Sequence, residues 1–160
     1  QAANVRVGYH LGANLGGAAR RAGFCALWLG TGFMILSATT LFTFPRGLEL
    51  LFQLDADVPS DAEVIEVVVR LLIICAVFQI FDGAQAIGAG ILRGYKDTRI
   101  PVTLATFSYW VIGVPVAWTL GFPLGYGVEG MWLGLALGLA TAAVLLCGRF
   151  LLISKPFQDL

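Results

Sequence analysis

Four apolar stretches, each long enough to cross a lipid bilayer, constrain this chain more than any other feature. They run over 23–44, 64–92, 100–122 and 128–153, and a helix needs about 20 predominantly apolar residues to span a hydrocarbon core about 30 Å thick. The breaks between them hold the expected residues: Pro45 after the first, Pro59 and Ser60 before the second, Pro101 at the start of the third, and Pro123, Gly125 and Gly127 after it. Only 12% of the 160 residues are charged and 58% are hydrophobic, whereas about a quarter of a soluble domain is charged. The pattern predicts an all-α membrane protein with four transmembrane helices.

Lys and Arg accumulate in short cytoplasmic loops, which orients the helices. Arg6, Arg20 and Arg21 precede the first, Arg93, Lys96 and Arg99 lie around the end of the second, and Arg149 and Lys155 close the fourth. These regions are assigned to the cytoplasm, with 154–160 as a tail. Glu49, Asp55, Asp57, Asp61, Glu63 and Glu129 occupy the remaining connectors with Arg46 as their basic residue, so those connectors are assigned to the outer side.

Residues 1–20 are too polar to span alone. They read as the cytoplasmic end of a preceding helix and its loop, in a chain whose start at Gln1 rather than Met implies an incomplete protein; Asn4, Arg6, His10 and Asn14 interrupt any leader-like apolar core. Gly8, Gly12 and Gly16 recur every fourth residue, a spacing that puts them on one helical face and lets helices approach closely. Gly90 with Gly94, and Gly134 with Gly138, repeat it. Cys25, Cys75 and Cys147 lie inside apolar runs, where Cys acts as a small hydrophobe, so neither a disulfide nor a transition-metal site is expected. Zero net charge and the lack of a basic patch with interleaved aromatics argue against a nucleic-acid partner. His10 is a lone histidine in a polar segment, no nucleophile is paired with a base and no loop cradles phosphate. An enzyme is therefore not expected, nor a cofactor.

Asp82 is the residue most out of place, with Ile80 and Phe81 before it and Gly83 and Ala84 after. Counting back from Leu92 puts it roughly 15 Å from the cytoplasmic end of its helix, near the bilayer midplane, where an ionised Asp costs about 2.5 to 3.5 kcal/mol. Such a carboxylate either faces a polar cavity on an ion or proton pathway or holds two helices together by hydrogen bonds. Gln79 and Gln85 lie three residues to either side and would extend a polar stripe offering oxygen ligands to a small hard cation, a proton relay, or polar packing. Arg70 stands four residues after Glu66, near the outer end of the same helix, where an ion pair with Glu66 would account for it. In the third helix Tyr109, Trp110, Gly113 and Pro115 form a run in which the proline removes a backbone donor and Gly113 with Pro115 permits a kink. Trp118 and Trp132 fit interface anchors.

The stretch FQIFDGAQAIGAGILRGYKDTR from Phe78 to Arg99, followed by Tyr109, Trp110, Gly113 and Pro115, resembles a pair of helices in the bacterial NorM branch of the MATE (multidrug and toxic compound extrusion) transporters. The opening VRVGYHLGAN, from Val5 to Asn14, resembles the glycine-rich end of an earlier helix in the same half, and the LRGYKDTR block from Leu92 to Arg99 is the most specific match. The resemblance implies a multi-pass inner-membrane protein of twelve helices in two lobes of six. This chain would supply the end of the eighth helix and helices nine to twelve, most of the second lobe. It implies exchange of Na⁺ or H⁺ for cationic or amphiphilic drugs, with the bilayer and the remaining helices of the transporter as partners. Asp82 matches the family's cation-site carboxylate. In NorM relatives an aromatic hydroxyl commonly stands four residues before that Asp; here Phe78 offers a ring without an oxygen. The family's second coupling carboxylate falls outside this chain, which alone is expected to transport nothing. A lipid-linked oligosaccharide flippase would instead need several Arg or Lys residues lining its cavity, and a non-transporting scaffold would use Asp82 only to join helices.

Overall fold

A computed structural model of the chain describes residues 1–43 and 59–157. The expected helix end at Phe44, the Pro45 break, the connector residues Arg46, Glu49, Asp55 and Asp57, and the last three residues of the tail lie outside the described residues, as do the side chains of Asp61 and Glu63. The elements are all helical: α1 (Ala2–Gly12), α2 (Gly16–Thr43), α3 (Pro59–Gly94), α4 (Arg99–Phe107), a π-helical segment (Ser108–Gly113), α5 (Val114–Gly121), α6 (Gly127–Ser154) and a 3₁₀ turn (Lys155–Phe157). Among the described residues four helical stretches are long and apolar enough to cross a membrane, over Gly16–Thr43, Val64–Gly94, Arg99–Gly121 and Gly127–Ser154.

The termini of these helices follow from local chemistry. α1 stops at a Schellman turn: the amide of Leu15 donates to the carbonyl of His10 and that of Asn14 to Leu11, with Asn14 at φ 57°, a conformation asparagine tolerates better than most residues. The turn corrects one reading of the sequence. Gly16 opens α2 and does not continue the face of Gly8 and Gly12 on α1, because a four-residue spacing implies a shared face only within one unbroken helix. α3 ends in the same way, with Asp97 donating to Leu92 and Lys96 to Arg93 around Lys96 at φ 61°. α3 begins at Pro59, five residues before Val64, since proline suits a first turn whose N–H groups have no intrahelical partner. The turn from α5 into α6 uses Gly125 and Gly127, both at positive φ.

α3 is the central element, packed against α1, α2 and α6, while α4, the π-helical segment and α5 lie along α6. The best-buried cluster sits where α1, α2, α3 and α6 converge at the arginine-rich end: Val7, Ala19, Ile91, Leu92, Leu146 and Phe150. Gly23 makes room for the Phe150 ring, as a Cβ there would come within 2.7 Å of it, and Phe24 meets the same ring edge-on at 5.2 Å. The outside of the bundle is apolar, with Trp28, Phe33, Trp110 and Val144 each about two-thirds or more exposed. That is the inverse of a water-soluble surface.

The third span meets α6 through backbone. A Cβ on Gly138 would lie 2.7 Å from the Gly113 Cα and 3.1 Å from the Ser108 carbonyl oxygen, one on Gly130 would lie 2.8 Å from Leu120, and one on Gly134 would collide with the backbone of Ala117. In lipid, where apolar burial gives helices little reason to associate, close approach of this kind supplies the attraction. Gly134 and Gly138 were legible as a packing pair, and Gly130 extends the stripe one turn further. Gly90 meets nothing within 4 Å, whereas a Cβ on Gly94 would press on Val7 at 2.8 Å. Replacing Gly134 with Ala should therefore destabilise the whole transporter by about 1–3 kcal/mol, read as a lowered Tm in detergent. Gly148→Ala, at a position with open space around it, should cause no loss.

Candidate functional site

Asp82 stands on α3 twelve residues before its end at Gly94, and Tyr109 stands ten residues after the start of α4 at Arg99. At 1.5 Å per residue both lie about 15 to 18 Å from the arginine-rich end, so they share one level of the bundle. The Asp82 side chain is exposed and makes no hydrogen bond or ion pair among the described residues. Its neighbours are committed elsewhere. Ser37 on α2 donates its hydroxyl to Gln79 Oε1 at 3.3 Å, and Tyr109 donates its phenol proton to Gln85 Oε1 at 3.0 Å. Asp82 is also close enough to Tyr109 for the two to interact electrostatically.

The expected single stripe of Gln79, Asp82 and Gln85 is therefore split. Steps of three residues turn about 300° each, so Gln79 and Gln85 stand about 120° apart around the helix. One glutamine binds α2, the other binds the third span, and the carboxylate is left between them. Phe78, one turn before Asp82, sets its ring edge-on against Trp132 of α6 at 5.8 Å. Trp132, read from sequence as an interface anchor, is thus also a packing partner.

Tyr109 is held by a local irregularity. Ser108 to Gly113 form a π-helical turn, a geometry often found at functional positions, that ends at Gly113, two residues before Pro115, where the sequence placed a bend. Pro115 sits in the first turn of α5 and has no N–H to return to the preceding turn. Fully buried Ser108 donates to the Leu104 carbonyl at 2.8 Å. The sequence singled out Tyr109 only as part of that bend; the signal for more was a phenol at mid-span, level with Asp82.

At each end an ion pair joins separate elements. Arg70 reaches Glu129 of α6 at 3.3 Å, not Glu66 on its own helix. Packing of α3 on α6 brings Glu129 within reach, and both partners remain well exposed. At the opposite end Arg149 Nε donates to Asp97 Oδ2 at 3.0 Å, and the Asp97 side chain is only 14% exposed. Beside it Tyr95 packs against Phe150, while Arg20 lies over the Phe24 ring at 5.2 Å. Burial pushes the Tyr95 phenol above its usual range, and the nearby Arg20 charge partly offsets that. The block from Leu92 to Arg99 is thus a structural knot: a helix stop, a mostly covered aspartate and an aromatic contact tie the end of α3 to α6.

The MatE family profile matches residues 1–119, about three-quarters of the chain. The chain belongs to the MatE family. Among curated MATE relatives, the multidrug resistance protein NorM of Burkholderia vietnamiensis is 52% identical over 94% of the chain, and a probable multidrug resistance protein NorM of Rhizobium meliloti is 46% identical over 94%. The chain spans about a third of the length of each, 32% in both cases. The crystal structure of AtDTX14, a eukaryotic MATE transporter, superposes with a TM-score of 0.83 over 98% of this chain and 35% of its own, at 24% identity. Fold and family are those of a MATE transporter, a multi-pass protein of the inner membrane. Within that fold Asp97 and Arg149 form the better-shielded ion pair. Removing Arg149 would strand a mostly buried carboxylate, so Arg149→Ala should cost about 1–3 kcal/mol, against about 0.5 kcal/mol for Arg70→Ala at its exposed pair. Thermal unfolding of the two variants in detergent would compare them directly.

Proposed function

We propose that the transporter to which this segment corresponds exports cationic or amphiphilic compounds in exchange for Na⁺ or H⁺ moving inward, and that Asp82 is the coupling carboxylate. The observation that carries this is a carboxylate at mid-span with no hydrogen-bond or ion-pair partner among the described residues, flanked by two glutamines already bonded to neighbouring helices. A bare charge at that depth is costly, so the site favours whatever neutralises it, a proton or a small cation. An ion held more tightly in one conformation than in another biases the equilibrium between them. The arginine-rich end faces the cytoplasm in this reading, by the excess of Lys and Arg there. The names of the NorM relatives, multidrug resistance proteins, support drugs as cargo. The segment matches about a third of such proteins; in this reading it is most of a second six-helix lobe and alone transports nothing.

The test follows efflux of a cationic fluorescent dye from vesicles holding the whole transporter, wild type or Asp82→Asn, under separate Na⁺ and pH gradients. Wild type should respond to one gradient, which names the ion. The Asn variant, inserted at equal level, should lose that response. If Asn preserves it, Asp82 only joins helices; if wild type moves no dye under either gradient, drug efflux gives way to lipid-linked oligosaccharide flipping or scaffolding.

A further inference from the structure

The phenol of Tyr109 has one proton, and an amide and a carboxylate of the same α3 stretch stand at its level of the bundle. That proton goes to Gln85 Oε1 at 3.0 Å, while Asp82, three residues earlier on the same helix, acts on Tyr109 electrostatically. A hydroxyl donates one hydrogen bond at a time. An ionised carboxylate is a stronger acceptor than an amide, and a neutralised carboxyl group loses that advantage. The occupancy of Asp82 therefore decides which acceptor wins.

We propose that Tyr109 reads the charge of Asp82, donating to Gln85 when the carboxylate carries its cation or proton and to Asp82 when it is bare. The inference rests on Asp82 being the coupling carboxylate. Tyr109 is then a positioning residue whose swing makes or breaks the bond between α3 and the third span. The span is built to pass that change on. Tyr109 is the second residue of the π-helical turn, and the far end of that turn is fixed to α6 by the close contact of Gly113 with Gly138. Phe78 has no hydroxyl to compete for the role.

α1, which packs on α3 at the arginine-rich end, carries Arg6 and His10, and no other charge lies at the level of Asp82 on the elements packed there. α3 carries none but Asp82 between Arg70 and Arg93, α2 none between Arg21 and Thr43, the third span none between Arg99 and Gly121, and α6 none between Glu129 and Arg149. The remaining titratable groups in these stretches are Tyr109 itself and the thiols of Cys25, Cys75 and Cys147.

Two substitutions in the whole transporter should act in opposite directions, which a merely structural role would not produce. Tyr109→Phe removes the donor that stabilises the bare carboxylate. The half-saturating concentration of the driving cation should fall about tenfold or, for a proton, the pH midpoint of transport should rise by about one unit. Gln85→Met removes the competing acceptor and leaves the phenol to Asp82, so the same quantity should move the other way. As a readout independent of turnover, cation addition should shift the tyrosine ring bands in difference infrared spectra of wild type, and Asp82→Asn should abolish the shift. If Asp82→Asn uncouples transport yet both substitutions leave the half-saturation unchanged or move it in one direction, the switch is wrong and the coupling site stands. If Asp82→Asn stays coupled, the underlying reading falls with it.

Discussion

The contact between Gly113 and Gly138, with Ala117 on Gly134 a turn away, is the constraint on which the rest of this structure depends. Lipid offers helices no hydrophobic reward for associating, so attraction must come from surfaces that fit at short range. Glycine at three successive turns of α6 lets the third span lie backbone against backbone. α6 in turn packs along α3, and this arrangement brings Tyr109 to Gln85. A side chain anywhere in the glycine stripe would push the third span outward and lengthen a 3.0 Å hydrogen bond in which one partner sits at mid-bilayer depth.

Polar groups are distributed along the bundle according to their cost. At the two ends, where water is near, charges pair across helices: Arg70 with Glu129 and Arg149 with Asp97. In the middle the polar side chains are mostly neutral and singly bonded, serine to glutamine and tyrosine to glutamine. Asp82 breaks this order. Among the described residues its carboxylate makes no hydrogen bond or ion pair in this structure, and a group of that kind is where an external cation or proton can change the energy of the whole element.

Much of this could be read from the chain beforehand. Four spans follow from long apolar runs, and Asp82 stands out because nothing else between Arg70 and Arg93 is charged. The block from Leu92 to Arg99 carried the family resemblance, though its physical content, a helix stop at Lys96 with Asp97 mostly covered and paired to Arg149, depends on a residue 52 positions away. Spacing along one helix misled in three places, one of them the two glutamines flanking Asp82, which bond to different helices. Gly8 and Gly16 are separated by a turn that Asn14 makes possible, and Arg70 found its partner on another helix. Periodicity describes which residues share a face but not which neighbour that face will meet. The Tyr109 to Gln85 bond was hidden for the same reason, since it needs the depth and rotation of two spans together.

The central claim is that Asp82 is a chemically available carboxyl group whose state follows the driving ion. Labelling the whole transporter in membranes with a hydrophobic carbodiimide, which modifies protonated carboxyl groups, and locating the adduct by peptide mass spectrometry tests it without any assay of transport. The expected result is modification at Asp82 that falls away when the driving Na⁺ is added or, for a proton-driven protein, as the pH is raised. Labelling that stays constant across Na⁺ and pH, or none at Asp82 while other carboxyl groups react, would contradict it.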